Sequence, residues 1–112
     1  MEEDSMFGLI QEYLDRPLPA NWDKMDLSER RYYLRGGDFG DAVEGTERRM
    51  RVCVAEIWQE LYGRDAGTMQ AYNAREIHDI MQRMPGWKRA PGKIRFSSYG
   101  VQRGYVREDN YV

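Results

Sequence analysis

Apolar positions fall into three groups with helical spacing, separated by segments that contain proline and glycine. The first group predicts an amphipathic helix that ends before the Pro-Leu-Pro segment at 17–19. Its apolar face consists of Met6, Leu9, Ile10, Tyr13 and Leu14. Further on, Asp26 and Glu29 have the spacing of a capping box, which predicts a short helix that stops at Gly36.

The second half of the chain repeats this helical spacing twice. Apolar residues at i, i+3, i+4 and i+7 in the range 54–61 predict a helix that ends at Gly63. A second helix is predicted to begin at Asn73, with Glu76 completing its capping box, and to end at Pro85. Its buried stripe consists of Ile77, Ile80, Met81 and Met84.

From Trp87 onward the apolar period changes to two, the spacing of β-strands. The pattern predicts a meander with turns at Pro91–Gly92 and Tyr99–Gly100. Its strands are 87–89, 94–96 and 105–107. The basic segment 48–52, which precedes the first helix of this half, is predicted to form a further strand.

This order of elements predicts an α+β, mainly helical fold. It describes a winged-helix-like domain, a helix-turn-helix followed by a basic β-hairpin or meander, with an N-terminal helical segment. The chain then divides into an acidic helical segment 1–34, a glycine-rich acidic loop 35–47, the winged-helix-like domain 48–107 and a tail 108–112.

Composition excludes several classes of protein. A chain of 112 residues has room for one domain, and its single cysteine and single histidine can build neither a disulfide scaffold nor the usual zinc sites. Its apolar runs are too short to span a bilayer, and its acidic N-terminus is unlike a secretory signal peptide. We therefore expect a cytoplasmic domain without a membrane partner.

Charge is distributed unevenly along the chain. Residues 1–47 contain five basic and twelve acidic side chains, whereas residues 48–107 contain twelve basic and five acidic ones. Such asymmetry is typical of a basic half that contacts nucleic acid. The alternative interpretation is that the two halves neutralise each other across an intramolecular interface.

The basic half carries the candidate DNA contacts. On the helix that follows Asn73, we expect Arg75, Asp79 and Gln82 to point directly away from the apolar stripe, flanked by His78 and Arg83. The predicted DNA contacts on this helix are Arg75, His78, Gln82 and Arg83, of which arginine and glutamine can read base edges. The meander adds cations without an acidic residue between Asp79 and Glu108, a composition suited to the phosphate backbone. The predicted meander contacts are Lys88, Arg89, Lys93, Arg95, Arg103 and Arg107. The alternatives are an ordinary solvated helix face and a charged edge hairpin that prevents aggregation.

Candidate enzymatic groups are few. Glu56 and Glu60 share a helix face and are interpreted as a solvated flank, and His78 has no serine or cysteine partner in a motif. A glycine-rich phosphate loop is missing from the sequence, and the acidic positions of 38–47 do not have EF-hand spacing. We therefore predict no catalytic residues, no metal ligands and no cofactor.

Three blocks of the sequence resemble the virulence-associated protein E family. They are 18–31 (Leu-Pro-Ala-Asn-Trp-Asp-Lys-Met-Asp-Leu, then Glu-Arg-Arg), 51–61 (Arg-Val-Cys-Val-Ala-Glu-Ile-Trp, then Glu-Leu) and 75–87 (Arg-Glu-Ile leading to Met-Pro-Gly-Trp). The family comprises replication proteins of phages and mobile elements with a superfamily 3 helicase-like ATPase, often joined to primase modules. The chain resembles the region C-terminal to that ATPase, and the resemblance supplies no catalytic residues.

Together these observations predict a non-enzymatic DNA-binding accessory domain of a mobile-element or phage replication helicase-primase. Its partners would be DNA and the ATPase domain of the parent protein. Arg48, Arg49 and Arg51 would add contacts to the DNA backbone if the first strand joins the same face. The alternative is an interaction module that packs on the helicase or recruits a host replication protein.

Overall fold

Two helices open the chain in the computed structural model, which describes residues 2–36 and 45–108. Helix α1 (Glu2–Asp15) buries Ile10, Tyr13 and Leu14, as predicted. Leu9, predicted on the same face, is 48% exposed because it lies at the edge of this stripe rather than at its centre. A turn of 3₁₀-helix at Trp22–Lys24 interrupts the connector that follows.

The predicted capping box of the second helix is confirmed. Helix α2 (Leu27–Leu34) begins after Asp26, whose carboxylate accepts the backbone N–H of Glu29 at 2.8 Å. The Glu29 carboxylate in turn accepts the backbone N–H of Asp26 at 2.9 Å. Gly36 follows the helix with φ of +81°, a conformation that favours glycine.

The next helical segment changes its winding part-way along. Strand β1 (Arg51–Cys53) leads directly into α3 (Val54–Glu56), which continues as a π-helix over Ile57–Leu61. The backbone N–H of Tyr62 donates to the carbonyl of Ile57 at 3.1 Å, closing the wider i to i+5 turn. The sequence predicted a helix here but not its π-helical half.

Helix α4 (Ala71–Gln82) begins two residues before the predicted start. Its cap is Gln70, whose backbone N–H donates to the Asn73 side chain at 2.8 Å, so Asn73 occupies the third helical position instead of the cap. A single turn of 3₁₀-helix at Ala66–Thr68 precedes it. The predicted buried stripe from Ile77 to Met84 is confirmed.

Three antiparallel strands form a sheet in the order β1-β3-β2, where β2 is Trp87–Phe96 and β3 is Gly100–Arg107. The predicted turn at Pro91–Gly92 is wrong, because β2 continues through this segment as a bulge. Arg89 pairs with Tyr105 and Lys93 with Arg103, so residues 90–92 oppose one residue of β3. Proline is tolerated at such a bulge because it has no N–H to donate to the ladder.

One core holds α1 together with the second half of the chain. Side chains of α1 pack with Val52, Ile57, Trp58, the α4 stripe, Trp87 and Tyr105. A smaller cluster lies beside it and consists of Leu18, Trp22, Met25 and Tyr33. Most of the predicted loop 35–47, at 37–44, and most of the tail 108–112, at 109–112, lie outside the described residues. Within the described ranges, no helix combines the length and apolar character needed to cross a membrane.

Candidate nucleic-acid interface

The β2–β3 hairpin presents four exposed cations on one side. Because alternate residues of a strand share a face, Arg103 lies on the same face as Tyr105, two positions along β3. Lys93 pairs with Arg103 and Arg89 pairs with Tyr105, so both join this face, as does Arg95, two residues beyond Lys93. We call this set of exposed side chains the cationic face: Arg89, Lys93, Arg95 and Arg103.

The cationic face meets α4 at Tyr105. The Tyr105 hydroxyl lies 2.8 Å from Nδ1 of His78, which was a predicted DNA contact. This hydrogen bond connects α4 to the strand that carries Arg103.

The rest of the exposed α4 face carries mixed charge. Arg75, Asp79, Gln82 and Arg83 are exposed, as predicted. Arg83 Nη2 lies 3.4 Å from Asp79 Oδ2 in an exposed ion pair, and the Arg83 guanidinium also lies 5.5 Å from the Phe7 ring centroid. Among the interactions seen in 2–36 and 45–108, Arg75 takes part in no ion pair or cation–π contact of this kind.

Two of the predicted hairpin cations do not join the cationic face. Lys88 is exposed, but it neighbours Trp87 and Arg89 in the strand and so points to the opposite side of the sheet. Arg107 is occupied internally, with its side chain 7% exposed beside the carboxylate of Asp15 at 3.6 Å. Its guanidinium donates to the carbonyls of Arg49 and Leu14, each at 2.7 Å. The role of Arg107 is therefore to fasten β3 to the end of α1.

A second polar assembly lies inside the protein, where none was predicted. Arg30, Arg49, Glu56 and Glu60, here called the ion-pair cluster, are each 5% exposed or less. Their contacts bring α2, the segment before β1 and the helical turns 54–61 together. The interpretation of the two glutamates as a solvated flank is wrong, and Arg49 is not available for DNA.

Glu60 makes the shorter hydrogen bonds of the two glutamates in the ion-pair cluster. Its Oε1 accepts the Tyr13 hydroxyl at 2.8 Å, and its Oε2 accepts Arg30 Nη1 and the Tyr99 hydroxyl, both at 2.8 Å. The Arg30 guanidinium also donates to Ser97 Oγ at 3.3 Å. Because Ser97 and Tyr99 form the turn between β2 and β3, these bonds anchor the hairpin turn to the interior.

Glu56 has longer contacts than Glu60, and its pKa is shifted. Its Oε2 lies 3.4 Å from both Arg30 Nη1 and Arg49 Nη1, and its Oε1 accepts the backbone N–H of Cys53 at 3.3 Å. Burial raises the pKa of Glu56 to about 7, and Arg49 acts against that rise. Burial, reinforced by Glu56, raises the pKa of the Cys53 thiol to about 12, which leaves it an unreactive core group.

A pocket of about 250 Å³ opens beside the ion-pair cluster. Trp22 and Phe96 line it together with Arg30, Arg49 and Glu56. Each of these three charged groups has an intramolecular ion-pair partner. The carboxylates of Asp23 and Glu47 also line the pocket. Within 2–36 and 45–108, His, Cys, Asp and Glu side chains nowhere gather into a group of three that would hold a metal ion.

Neither the comparison with protein-family models nor the comparison with curated proteins gives a match to this chain. The resemblance to the virulence-associated protein E family stays a prediction. The second of the three blocks that carry it falls on β1 and the helical turns 54–61, and the third runs from α4 to the start of β2. Several of their residues, such as Trp58 and Trp87, are buried core residues.

Proposed function

We propose that the chain is a non-enzymatic, winged-helix-like DNA-binding domain in which the cationic face holds the phosphate backbone. The order strand, two helices and hairpin, with the sheet order β1-β3-β2, supports this architecture. In the full proposal the domain is accessory to a mobile-element or phage replication helicase-primase. The sequence resemblance alone supports that part.

The observation that carries the proposal is the uninterrupted positive charge of the cationic face. Its four cations are exposed, and the hairpin that bears them has no acidic residue. A protein that neutralises phosphates releases condensed counterions, so such a face gives strong but salt-dependent affinity. Helices α1 and α2, which belong to the acidic half, pack instead on the π-helical turn.

Binding of a short labelled DNA duplex, followed by fluorescence anisotropy at several salt concentrations, tests the proposal. If the four cations each contact a phosphate, the logarithm of the association constant falls with the logarithm of salt concentration with a slope of roughly −3 to −4. Replacing Lys93 and Arg103 together by alanine makes that slope shallower by about two units.

Lys88→Ala is the matched control, since it removes a cation from the same strand on the opposite side. We expect its salt slope to equal that of the wild type. Wild-type protein that shows no salt-dependent binding at low ionic strength contradicts the proposal. A Lys88→Ala effect as large as that of Lys93→Ala contradicts the assignment of the face.

An apolar groove favours the interaction module as the second candidate function. Leu9, Leu34 and Leu61 line this groove of about 320 Å³ together with Tyr13, and Glu12 and Arg16 stand beside them. An ATPase domain of the resembled family, mixed with the chain and separated by size-exclusion chromatography, tests this candidate. The interaction module would be established if the wild-type chain co-elutes with the ATPase domain, Leu9→Glu abolishes this co-elution, and the chain binds no DNA.

A further inference from the structure

His78 lies where α4 meets the cationic face, and its ring is held in a defined position. Its Nδ1 is 2.8 Å from the Tyr105 hydroxyl, and the two ring centroids are 5.9 Å apart. The ring is partly exposed. Among the described residues its Nε2 has no hydrogen-bond partner, so this nitrogen remains able to bind a ligand.

His78 can take up a proton without losing its contact with Tyr105. Its Nδ1 lies 2.8 Å from the Tyr105 hydroxyl, which can donate to the neutral ring or accept from the protonated one. In the imidazolium form both ring nitrogens are donors, so Nε2 then offers an N–H to a ligand.

Charged groups of β2 and of α4 lie near His78. Arg89 of β2 is the ladder partner of Tyr105, so Arg89 and His78 flank the same tyrosine. On α4 itself, Arg75 lies one turn earlier and Asp79 is engaged with Arg83. Burial lowers the pKa of His78, and Arg89 lowers it further, so the free protein holds a neutral ring at pH 7.

We propose that His78 is a proton-linked phosphate ligand, so that binding of DNA to the cationic face is accompanied by uptake of one proton. This inference rests on the proposed function. A phosphate held by Arg89 brings negative charge close to His78, because Arg89 pairs with Tyr105 in the sheet and its charge already acts on the His78 ring. This negative charge favours the imidazolium form. Protonated His78 then offers a charge-assisted hydrogen bond to the phosphate and donates through Nδ1 to Tyr105.

Linkage fixes the direction and the limit of the effect. Because the complex holds a proton that the free protein lacks, affinity rises as the pH falls between the bound and the free pKa of His78. One proton allows at most about a tenfold gain in affinity for each pH unit. Below the free pKa both states are protonated, and the gain stops.

The test measures duplex binding by anisotropy from about pH 8 to about pH 5.5 at constant ionic strength, for the wild type and for His78→Gln. We expect the wild-type affinity to rise several-fold more than that of the variant over this range. Glu56 also titrates here, but it is present in both proteins, so its contribution cancels. In parallel, NMR follows the Cε1–H signal of the wild type, which is unambiguous because the chain has a single histidine.

The NMR titration does not depend on the folding of any variant. A higher His78 pKa in the duplex complex than in the free protein supports the inference. A His78 pKa that does not change on binding, or a pH dependence of affinity that is the same in His78→Gln, overturns the inference. In that case salt-dependent binding of the duplex still supports the proposed function. If no duplex binds at any pH and low salt, the proposed function fails and the inference fails with it.

Discussion

Glu60→Gln is a conservative change with a large expected effect, because it removes one charge from the buried ion-pair cluster. The wild-type carboxylate accepts three hydrogen bonds of 2.8 Å, from Tyr13, Arg30 and Tyr99. An amide nitrogen placed at the Oε1 position can still donate to the Tyr13 hydroxyl if that group turns to accept. The remaining oxygen keeps Arg30 and Tyr99 as neutral rather than charge-assisted partners.

The size of the expected stability loss follows from the positive charge that Glu60→Gln leaves under-compensated in the interior. Breaking a buried pair by removing one partner typically costs about 3–5 kcal/mol, because the opposite charge is left under-compensated in a medium of low polarity. We expect a loss of this size in the free energy of unfolding, out of a total of about 5–15 kcal/mol for a domain. The Tm should fall by roughly 10–25 °C.

Urea denaturation followed by tryptophan fluorescence measures this loss, with circular dichroism for the Tm. Asp79→Asn is the matched control, since it removes one partner of an ion pair whose side chains are 48% and 69% exposed. Exposed pairs contribute about 0–1 kcal/mol, so this variant should unfold almost like the wild type. A Glu60→Gln protein within about 0.5 kcal/mol of the wild type would refute the assignment of Glu60 as a compensated buried charge.

Two further predictions concern Glu56 and Gly104. Because burial raises the folded-state pKa of Glu56 to about 7, the folded protein binds more protons than the unfolded one between about pH 4.5 and 7. The stabilisation that Glu56 contributes is therefore present at the acidic end of this window and is lost as the pH rises. The difference in unfolding free energy between the wild type and Glu56→Gln, measured by urea denaturation, should change between these pH values. A difference that stays constant would contradict the raised pKa of Glu56. Gly104→Ala should lower the free energy of unfolding by about 1–3 kcal/mol, because the added Cβ would lie 2.6 Å from the carbonyl oxygen of Val52. Gly92→Ala is the control, since a Cβ there meets nothing within 4 Å, and thermal melts of the two variants should show it to be nearly neutral.

Sequence spacing predicted the parts of the fold that depend on local pattern. The stripe from Ile77 to Met84 and the capping box at Asp26 follow from periodicity and cap chemistry, which neighbouring residues determine. The single-sign charge of the hairpin was equally visible. The turn predicted at Pro91–Gly92 was wrong because turns and bulges favour the same residue types. Only the pairing with the opposite strand distinguishes a bulge from a turn.

The ion-pair cluster could not be predicted in this way. Two glutamates four residues apart are normally a solvated helix flank, and nothing near them in sequence signals burial. Their burial depends on Arg30, brought from α2, and on Arg49, which lies just before β1. The same holds for Arg107, whose partners are Leu14, Asp15 and Arg49. Charged residues of this kind are assigned to a surface or to an interior only by tertiary structure.

The anchored hairpin turn has a consequence for binding. With Tyr99 bonded to Glu60 and Ser97 bonded to Arg30, the turn is ordered before any ligand arrives. A disordered basic arm loses conformational entropy when it binds, at about 0.5–1.5 kcal/mol for each side chain that becomes immobilised, in addition to the cost of fixing its backbone. Because the hairpin backbone is already fixed in the folded protein, binding causes no further loss of its backbone entropy. Each cation should therefore contribute more affinity here than the same cation on a flexible tail.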